Sequence, residues 1–167
     1  MATEVIPSGL GTPLVRYGLL TAWVTHVVNG AISGFLRLDT PWSFVAYATA
    51  FVAIVLLTTP NTRPLSPAAA GSTVVATLAS AGLALLFDTG EPRAALAGLA
   101  AFLLALLAIR GNLPQAALGT VGMLGQIVAW GLRTQVSGAE IWSHLCVNGA
   151  VVATGFLCRY LLIRIVE

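Results

Sequence analysis

The chain has 167 residues, of which 57% are hydrophobic and 8% are charged, with a formal net charge of +2 and a mean hydropathy of +0.91. A water-soluble domain carries charge at about a quarter of its positions, so this composition excludes an ordinary soluble domain. Nucleic-acid binding is also excluded, because the chain offers no basic surface. We expect an all-α integral membrane protein, a six-transmembrane-helix bundle with short loops, whose main partner is the lipid bilayer.

Residues 1–12 form a segment of their own. Pro7, Gly9 and Gly11 interrupt any regular pattern there, and we expect a flexible N-terminal lead. The segment carries Glu4 and no basic residue, which argues against a cleavable signal peptide. Residues 13–167 are predicted to form a single six-helix transmembrane domain.

Six apolar runs follow in chain order, separated by short connections. A spanning helix needs roughly 20 mostly apolar residues, and only the fourth run falls clearly short of that length. The runs are Leu14–Leu36, Trp42–Thr59, Pro67–Phe87, Ala94–Ile109, Pro114–Leu132 and Trp142–Ile165. We predict one helix for each run.

Small residues recur along three of these runs, and in membranes such stripes allow helices to approach closely. The third run has Ser72, Ala76, Ser80 and Ala84, and the fourth has Ala97, Ala101 and Ala105. Together with the tight turn Asp88–Arg93, they predict a close antiparallel hairpin of the third and fourth helices. Gly119, Gly122 and Gly125 give the fifth run a smooth flank for a neighbouring helix or a ligand.

The arginines are divided unevenly between the two sides of such a bundle. Arg16, Arg63, Arg110, Arg159 and Arg164 fall on the side of the termini, whereas Arg37, Arg93 and Arg133 fall on the other. The positive-inside rule then predicts that both termini are cytoplasmic. We expect a multi-pass protein of a bacterial inner membrane. The acidic residues Asp39, Asp88, Glu91 and Glu140 fall on the predicted outer side.

Five polar side chains lie within the predicted spans, where such groups are costly and often mark function. They are His26, Asn29, Gln126, His144 and Asn148. Helical spacing puts the first two on one face of the first helix and the last two on one face of the sixth. They are candidates for a polar lining that binds a small solute. The alternative, left open here, is that they form hydrogen bonds between helices.

Other chemistries fit the sequence less well. His26 and His144 could be axial ligands of a haem, but their predicted depths differ by roughly 12–15 Å at the helical rise. An intramembrane hydrolase resembling rhomboid proteases would need a Gly-x-Ser-Gly motif, and Gly30–Gly34 has one residue too many and lies on the first helix. No carboxylate lies within a span to complete a metal site. We expect no catalytic residues, no metal and no cofactor.

Four short motifs follow one another between Arg16 and Leu132. They are Pro41-Trp42 after Leu36-Arg37-Leu38-Asp39, the loop Thr59–Arg63, Gly71-Ser72-Thr73, and Arg110-Gly111-Asn112 followed by Thr120. This order of features resembles the membrane half of fusaric-acid-resistance and aromatic acid exporter proteins. The resemblance implies export of small organic or aromatic acids by an oligomer, without a cofactor.

Two hypotheses about function remain. The first is a transport or permease-type protein for a small organic solute, which acts as a homo-oligomer or with a partner membrane subunit. The second is a non-transporting sensor, anchor or accessory subunit of a larger membrane complex, which the short loops and the scarcity of intramembrane charge also favour.

Overall fold

The computed structural model describes residues 9–33, 41–60, 63–87 and 93–166, and in this part of the chain it contains six α-helices and no strand. The helices are α1 (Pro13–Ser33), α2 (Pro41–Leu57), α3 (Pro67–Leu86), α4 (Arg93–Ile109), α5 (Leu113–Thr134) and α6 (Gly138–Val166). The prediction of an all-helical chain is confirmed for these residues, and each helix overlaps its predicted run. Residues 1–8 of the predicted N-terminal lead lie outside the described residues.

Local sequence explains several helix ends. Ser66 precedes Pro67, and its hydroxyl accepts a hydrogen bond from the N–H of Ala69 (3.3 Å), which is the usual arrangement of an N-cap before a first-turn proline. The hydroxyl of Ser137 likewise accepts a hydrogen bond from the N–H of Glu140 (3.2 Å). Helix α6 therefore begins at Gly138, earlier than the predicted start at Trp142. Gln135 ends α5 in a left-handed conformation (φ 54°), as C-caps commonly do.

The helices run alternately in opposite directions, and the contacts at one end of the bundle show this. The start of α1 lies beside the end of α2, because Arg16 reaches the carbonyl of Thr58 (3.5 Å). The end of α6 lies beside the end of α4, where Arg159 reaches the carbonyl of Ile109 (3.4 Å). We call this end, which holds the start of α1 and the end of α6, the termini end.

The small residues join helix pairs beyond the one predicted. The Ser80 hydroxyl of α3 donates a hydrogen bond to the carbonyl of Ala46 on α2 (2.8 Å), and α2–α3 is the most extensive helix pair. The next is α4–α6, where a Cβ on Gly155 would lie 2.6 Å from the Cα of Ala105. The helices α3 and α4 also pack together, but Ser72 at the start of the predicted stripe is exposed. The turn residues 88–92 lie outside the described residues.

Two helices meet the requirements of length and apolarity for crossing a membrane: α3 over its whole length, and α6 over Gly138–Ile165. The apolar segments Pro41–Leu57 and Leu96–Ile109 are shorter. The helices α1 and α5 are long enough to cross a membrane, but polar side chains such as His26 and Gln126 keep their mean hydropathy below that of α3 and α6. The described chain therefore has two helices long enough and apolar enough to cross a membrane.

The first helix is the least integrated part of the described bundle. Its backbone closely approaches that of α2 alone among the described helices. A groove of about 320 Å³ separates it from α4 and is lined almost wholly by apolar side chains, with His26 at its edge. Trp23 anchors the helix, because its ring packs on Tyr47 of α2 with 5.9 Å between centroids.

Candidate functional site: a groove between α3 and α5

A groove of about 260 Å³ runs between α3 and α5 near the end of the bundle opposite the termini end. Its wall is largely apolar, with polar groups at two depths. The lining residues are Gly82, Leu85, Leu86, Gln126, Ala129, Trp130 and Arg133. We call this feature the α3–α5 groove. The size approaches the lower limit of pockets that hold small organic molecules.

Gln126 lies at the deep end of the α3–α5 groove. Its Nε2 donates a hydrogen bond to the carbonyl of Leu78 (3.0 Å), which fixes the orientation of the amide, because a carbonyl partner requires a donor. Its Oε1 is buried and accepts no hydrogen bond within the described residues. Gly82 provides the space, since a Cβ there would lie 2.9 Å from Nε2. A deep, oriented acceptor is therefore left without a partner.

Trp130 lies one helical turn further along α5. The residue is 9% exposed, and the edge of one ring meets His144 at 5.5 Å between centroids and 79° between planes. Its Nε1 is buried and, among the described residues, has no hydrogen-bond acceptor. Buried indole N–H groups usually find a partner, so this donor is the second polar group left open beside the groove.

Arg133 occupies the last turn of α5 and is exposed. It lies seven residues beyond Gln126, about 10 Å along the helix axis. A cation is also favourable at this position, because the end of a helix carries partial negative charge. The α3–α5 groove thus has an acceptor at its deep end, an apolar wall, and a cation at its shallow end.

His144 and Asn148 lie on the neighbouring helix α6, on the side of Trp130. Asn148 is 3% exposed, and its Nδ2 donates to the carbonyl of His144 (2.8 Å). Its Oδ1 is buried without a donor among the described residues. Of the five polar residues predicted as a lining, the structure therefore brings Gln126, His144 and Asn148 to the adjoining helices α5 and α6.

The other two predicted residues lie elsewhere. His26 stacks on Trp23 of the same helix at 5.7 Å between ring centroids, and Asn29 is exposed on α1. Since α1 closely approaches only α2, neither residue lies at the α3–α5 groove. The five predicted residues do not form one lining within a single copy of the described chain.

Sequence reasoning did not include Gly82, Trp130 and Arg133 in the site. Trp130 and Arg133 follow Gln126 at four and seven residues, which places all three on one helical face. That spacing could have identified them. Of the three, Arg133 alone enters the sequence analysis, as part of the charge balance between the two sides.

A second cluster of polar groups lies at the termini end and is occupied by the protein's own backbone. The guanidinium of Arg110 is fully buried. It donates hydrogen bonds to the carbonyls of Leu57, Thr59 (3.0 Å) and Arg63 (3.1 Å). Leu57 and Thr59 carry carbonyls that the end of α2 would otherwise leave without partners. Burial lowers the pKa of Arg110, but an arginine stays protonated at ordinary pH.

This cluster therefore holds the helix ends together, and we assign it a structural role. Arg159 extends it by donating to Ile109 at the end of α4. Of the predicted termini-side arginines, Arg16, Arg63, Arg110 and Arg159 do lie at one end of the bundle. Arg37 lies outside the described residues.

Within the described ranges, no group of three or more His, Cys, Asp or Glu side chains is placed to hold a metal ion. His26 and His144, the pair weighed as haem ligands, lie on α1 and α6, which do not closely approach each other. Comparison of the chain with protein-family models, with curated proteins and with solved structures gives no match.

Proposed function

We propose that the chain is a six-span membrane protein that binds a small organic acid in the α3–α5 groove and transports it across the membrane. The observation that carries the proposal is the pair of buried, unpartnered groups beside the groove, Gln126 Oε1 and Trp130 Nε1. Burying a polar group without a partner costs about 1–3 kcal/mol, and a bound solute would remove that cost.

The chemical class of the solute follows from the order of groups along the groove. Arg133 would bind an anionic head, because guanidinium pairs with carboxylates and related oxyanions. Leu85, Leu86 and Ala129 would cover an apolar or aromatic body. Trp130 Nε1 would donate to an oxygen of the solute, and Gln126 would accept from a hydroxyl at its far end.

The placement in a bilayer is supported by composition and by the helix surfaces. Many large apolar side chains are exposed around the described bundle, including Ile32, Leu132 and Ile165 at 71–82%. Water would be a poor solvent for such a surface, whereas lipid suits it. With arginines concentrated at the termini end, the positive-inside rule orients that end to the cytoplasm, so the α3–α5 groove would open near the outer side.

The binding part of the proposal is tested by calorimetry on the protein in lipid nanodiscs. Benzenesulfonate is the probe, because it stays ionised and does not cross lipid unaided, and benzyl alcohol is the uncharged comparison. We expect heat from benzenesulfonate alone. Arg133→Gln should weaken binding about ten- to a hundredfold, as expected for a charge-assisted hydrogen bond of 1.5–3 kcal/mol.

Matched variants separate the groove from general effects of charge and polarity. Arg164→Gln removes an exposed arginine at the termini end, and Gln115→Leu changes an amide elsewhere on α5. Both should bind benzenesulfonate as the parent does. Gln126→Leu should weaken instead the binding of 4-hydroxybenzenesulfonate, whose hydroxyl is the group that Gln126 Oε1 would accept from. Equal loss in all of these variants, or no heat in the parent protein, would contradict the proposed site.

The transport part is tested by efflux of benzenesulfonate from proteoliposomes. Efflux above that of protein-free liposomes, lost in Arg133→Gln, would support transport. Binding without efflux would favour the second hypothesis, a membrane sensor or accessory subunit that uses the same groove. The loosely attached helix α1 is the feature that favours this alternative, because it leaves room for a partner.

A further inference from the structure

The groove between α1 and α4 is a cavity that the proposed function does not use. It holds about 320 Å³, and its α1 side runs from Leu19 to His26, about 10 Å along the helix axis. Its α4 side runs from Leu96 to Leu103, and the buried Ile54 of α2 lies at its floor. We call this feature the α1–α4 groove. Because nearly all of its wall is apolar, it suits a hydrocarbon chain better than a hydrated solute.

Arg16 lies where the α1–α4 groove opens toward the termini end. It precedes Leu19 by three residues, so the two side chains share one side of α1. Its Nη1 donates to the carbonyl of Thr58 (3.5 Å), and Thr58 follows the groove residue Ile54 by one turn of α2. A guanidinium has five N–H donors, and the remaining donors of Arg16 have no partner among the described residues. The mouth of the groove therefore carries a half-buried cation with donors left to bind an anion.

The length of the α1–α4 groove matches one leaflet of a bilayer. Arg16 and His26 are separated by about 15 Å along α1, and half of the hydrocarbon layer is also about 15 Å thick. The groove therefore holds a cation at one interface and ends near the midplane. Over the length of the groove, a helix 10–12 Å across would fill roughly 800 Å³ or more. The groove is too narrow for a partner helix, whereas a single hydrocarbon chain fits its shape.

We propose that the α1–α4 groove binds an acyl chain of an anionic phospholipid, whose phosphate lies on Arg16, in the leaflet on the side of the termini. This inference rests on the membrane placement given under the proposed function, though not on any solute. Guanidinium binds phosphate oxygens through parallel hydrogen bonds. Glu140 is the one acidic residue in the described part of the chain, and it lies at the start of α6, at the opposite end of the bundle. A negatively charged headgroup at the termini end therefore meets arginines and no described carboxylate.

A second groove beside α1 provides an internal comparison. It holds about 220 Å³ between α1 and α2, and Trp23 lines both grooves. We call it the α1–α2 groove. Its α1 side runs from Trp23 to Val28, which lies about 18 Å from Arg16 along the axis, and its lining includes no charged residue. The indole of Trp23 therefore reports on a lipid chain in either groove, and only the α1–α4 groove has a cation at its mouth.

Quenching of Trp23 fluorescence by brominated lipids tests the site. The other three tryptophans are replaced by phenylalanine, and the protein is placed in phosphatidylcholine vesicles. Phosphatidylglycerol or phosphatidylcholine, each brominated near the middle of its acyl chains, is added at equal mole fraction. We expect phosphatidylglycerol to be preferred about fivefold, as an arginine near an anionic lipid surface provides. Arg16→Gln should reduce the preference nearly to one. Arg164→Gln, which removes an exposed arginine at the same end, should keep it.

Two alanines allow each groove to be filled separately. Ala22 lines the α1–α4 groove and Ala48 lines the α1–α2 groove. Ala22→Phe should abolish the preference for phosphatidylglycerol, whereas Ala48→Phe should leave it unchanged. A preference that survives in Ala22→Phe or in Arg16→Gln would overturn the lipid site. Equal quenching by the two lipids in the single-tryptophan protein would also overturn it, as would the absence of quenching, which would mean that protein covers the groove.

The lipid site and the proposed function can fail separately. If benzenesulfonate does not bind but phosphatidylglycerol still quenches Trp23 preferentially, the solute site is wrong and the lipid site is supported. Extraction of the protein from membranes by alkaline carbonate would overturn the membrane placement, and the lipid site with it.

Discussion

The side-chain amide of Asn112 forms two hydrogen bonds with the backbone of Leu65, one to its N–H and one to its carbonyl, each 2.9 Å long. Both residues are buried. The pairing joins the segment before α5 to the segment before α3, 47 residues earlier in the chain. The two bonds resemble those between neighbouring β-strands, with the side-chain amide of Asn112 in place of one backbone amide.

Replacing Asn112 by alanine should therefore destabilise the protein markedly. The substitution removes two hydrogen bonds and leaves the N–H and carbonyl of Leu65 buried without these partners. We therefore expect the free energy of unfolding to fall by about 2–3 kcal/mol. Unfolding by sodium dodecyl sulfate in mixed micelles measures this. Gln115→Ala, three residues further on, should stay within about 0.5 kcal/mol of the parent. Equal stability of both variants would show that the pairing contributes nothing.

Arg110→Lys should also destabilise the protein although the charge is kept. The guanidinium reaches three carbonyls in a fixed planar arrangement, whereas an ammonium group on a flexible stem cannot reproduce that geometry. We expect a loss of about 1.5–3 kcal/mol in the same unfolding assay. Arg164→Lys, at an exposed position, should change the stability little. A lysine variant as stable as the parent would contradict the role given to Arg110.

The contribution of Arg110 should not depend on pH between about pH 5 and about pH 9. Burial lowers the pKa of this group in the folded state, so the unfolded state binds the proton more tightly. Stability would then rise with pH, but only where the folded guanidinium begins to lose its proton, which lies far above this range. The difference in unfolding free energy between the parent and Arg110→Met should therefore be constant across the range. A difference that changes steadily with pH would contradict this assignment.

Gly155→Ala should separate α4 from α6. A Cβ at Gly155 would lie 2.6 Å from both the Cα and the carbonyl oxygen of Ala105, and a backbone cannot give way as a flexible side chain can. Overpacking of this kind costs about 1–3 kcal/mol. Gly149→Ala on the same helix is the matched control, because nothing lies within 4 Å of a Cβ there. Its Tm should equal or exceed that of the parent, and a lower Tm for Gly149→Ala than for Gly155→Ala would refute the close contact.

Trp130→Phe should separate stability from solute binding. Phenylalanine removes an N–H that has no acceptor in the described chain, so the free energy of unfolding should be unchanged or higher by up to about 1 kcal/mol. Benzenesulfonate should nevertheless bind more weakly, because Nε1 is a proposed donor to its oxygens. Trp142→Phe, at an exposed position on α6, should alter neither quantity. Loss of stability in Trp130→Phe without a change in binding would count against the α3–α5 groove.

Hydrophobic runs and helix-end residues were enough to predict where the helices lie. Pro67 starts α3 as predicted, and Ile109 ends α4 as predicted. The packing of α3 on α4 was predicted, but the more extensive pairs α2–α3 and α4–α6 were not, because a stripe of small residues signals close approach without naming the neighbour. Ser80 belongs to such a stripe, yet its hydroxyl donates to α2 rather than to α4.

The candidate site was predictable only in part. Gln126 and Asn148 stood out because amides are rare in apolar helices, and both carry a buried oxygen without a donor among the described residues. His26 and Asn29 stood out for the same reason, but a sequence does not show on which side of the bundle a polar face points. The sequence analysis treats Arg110 only as a charge on the cytoplasmic side. Its burial could not be predicted, because the three carbonyls that bind its guanidinium are 47 to 53 residues away in sequence.

The bond from Arg110 to Leu57 also has a consequence for the order of events during synthesis. The end of α2 emerges from the ribosome 53 residues before the arginine that completes it. At about 5–20 residues per second, this interval is on the order of 3–10 s. Until then, the nascent α2–α3 hairpin carries carbonyls that only water can satisfy, so under the proposed membrane placement that end would have to stay at the membrane surface. Arg110 is the first residue after α4, so the end of α2 gains this hydrogen bond only after the fourth helix has been synthesised.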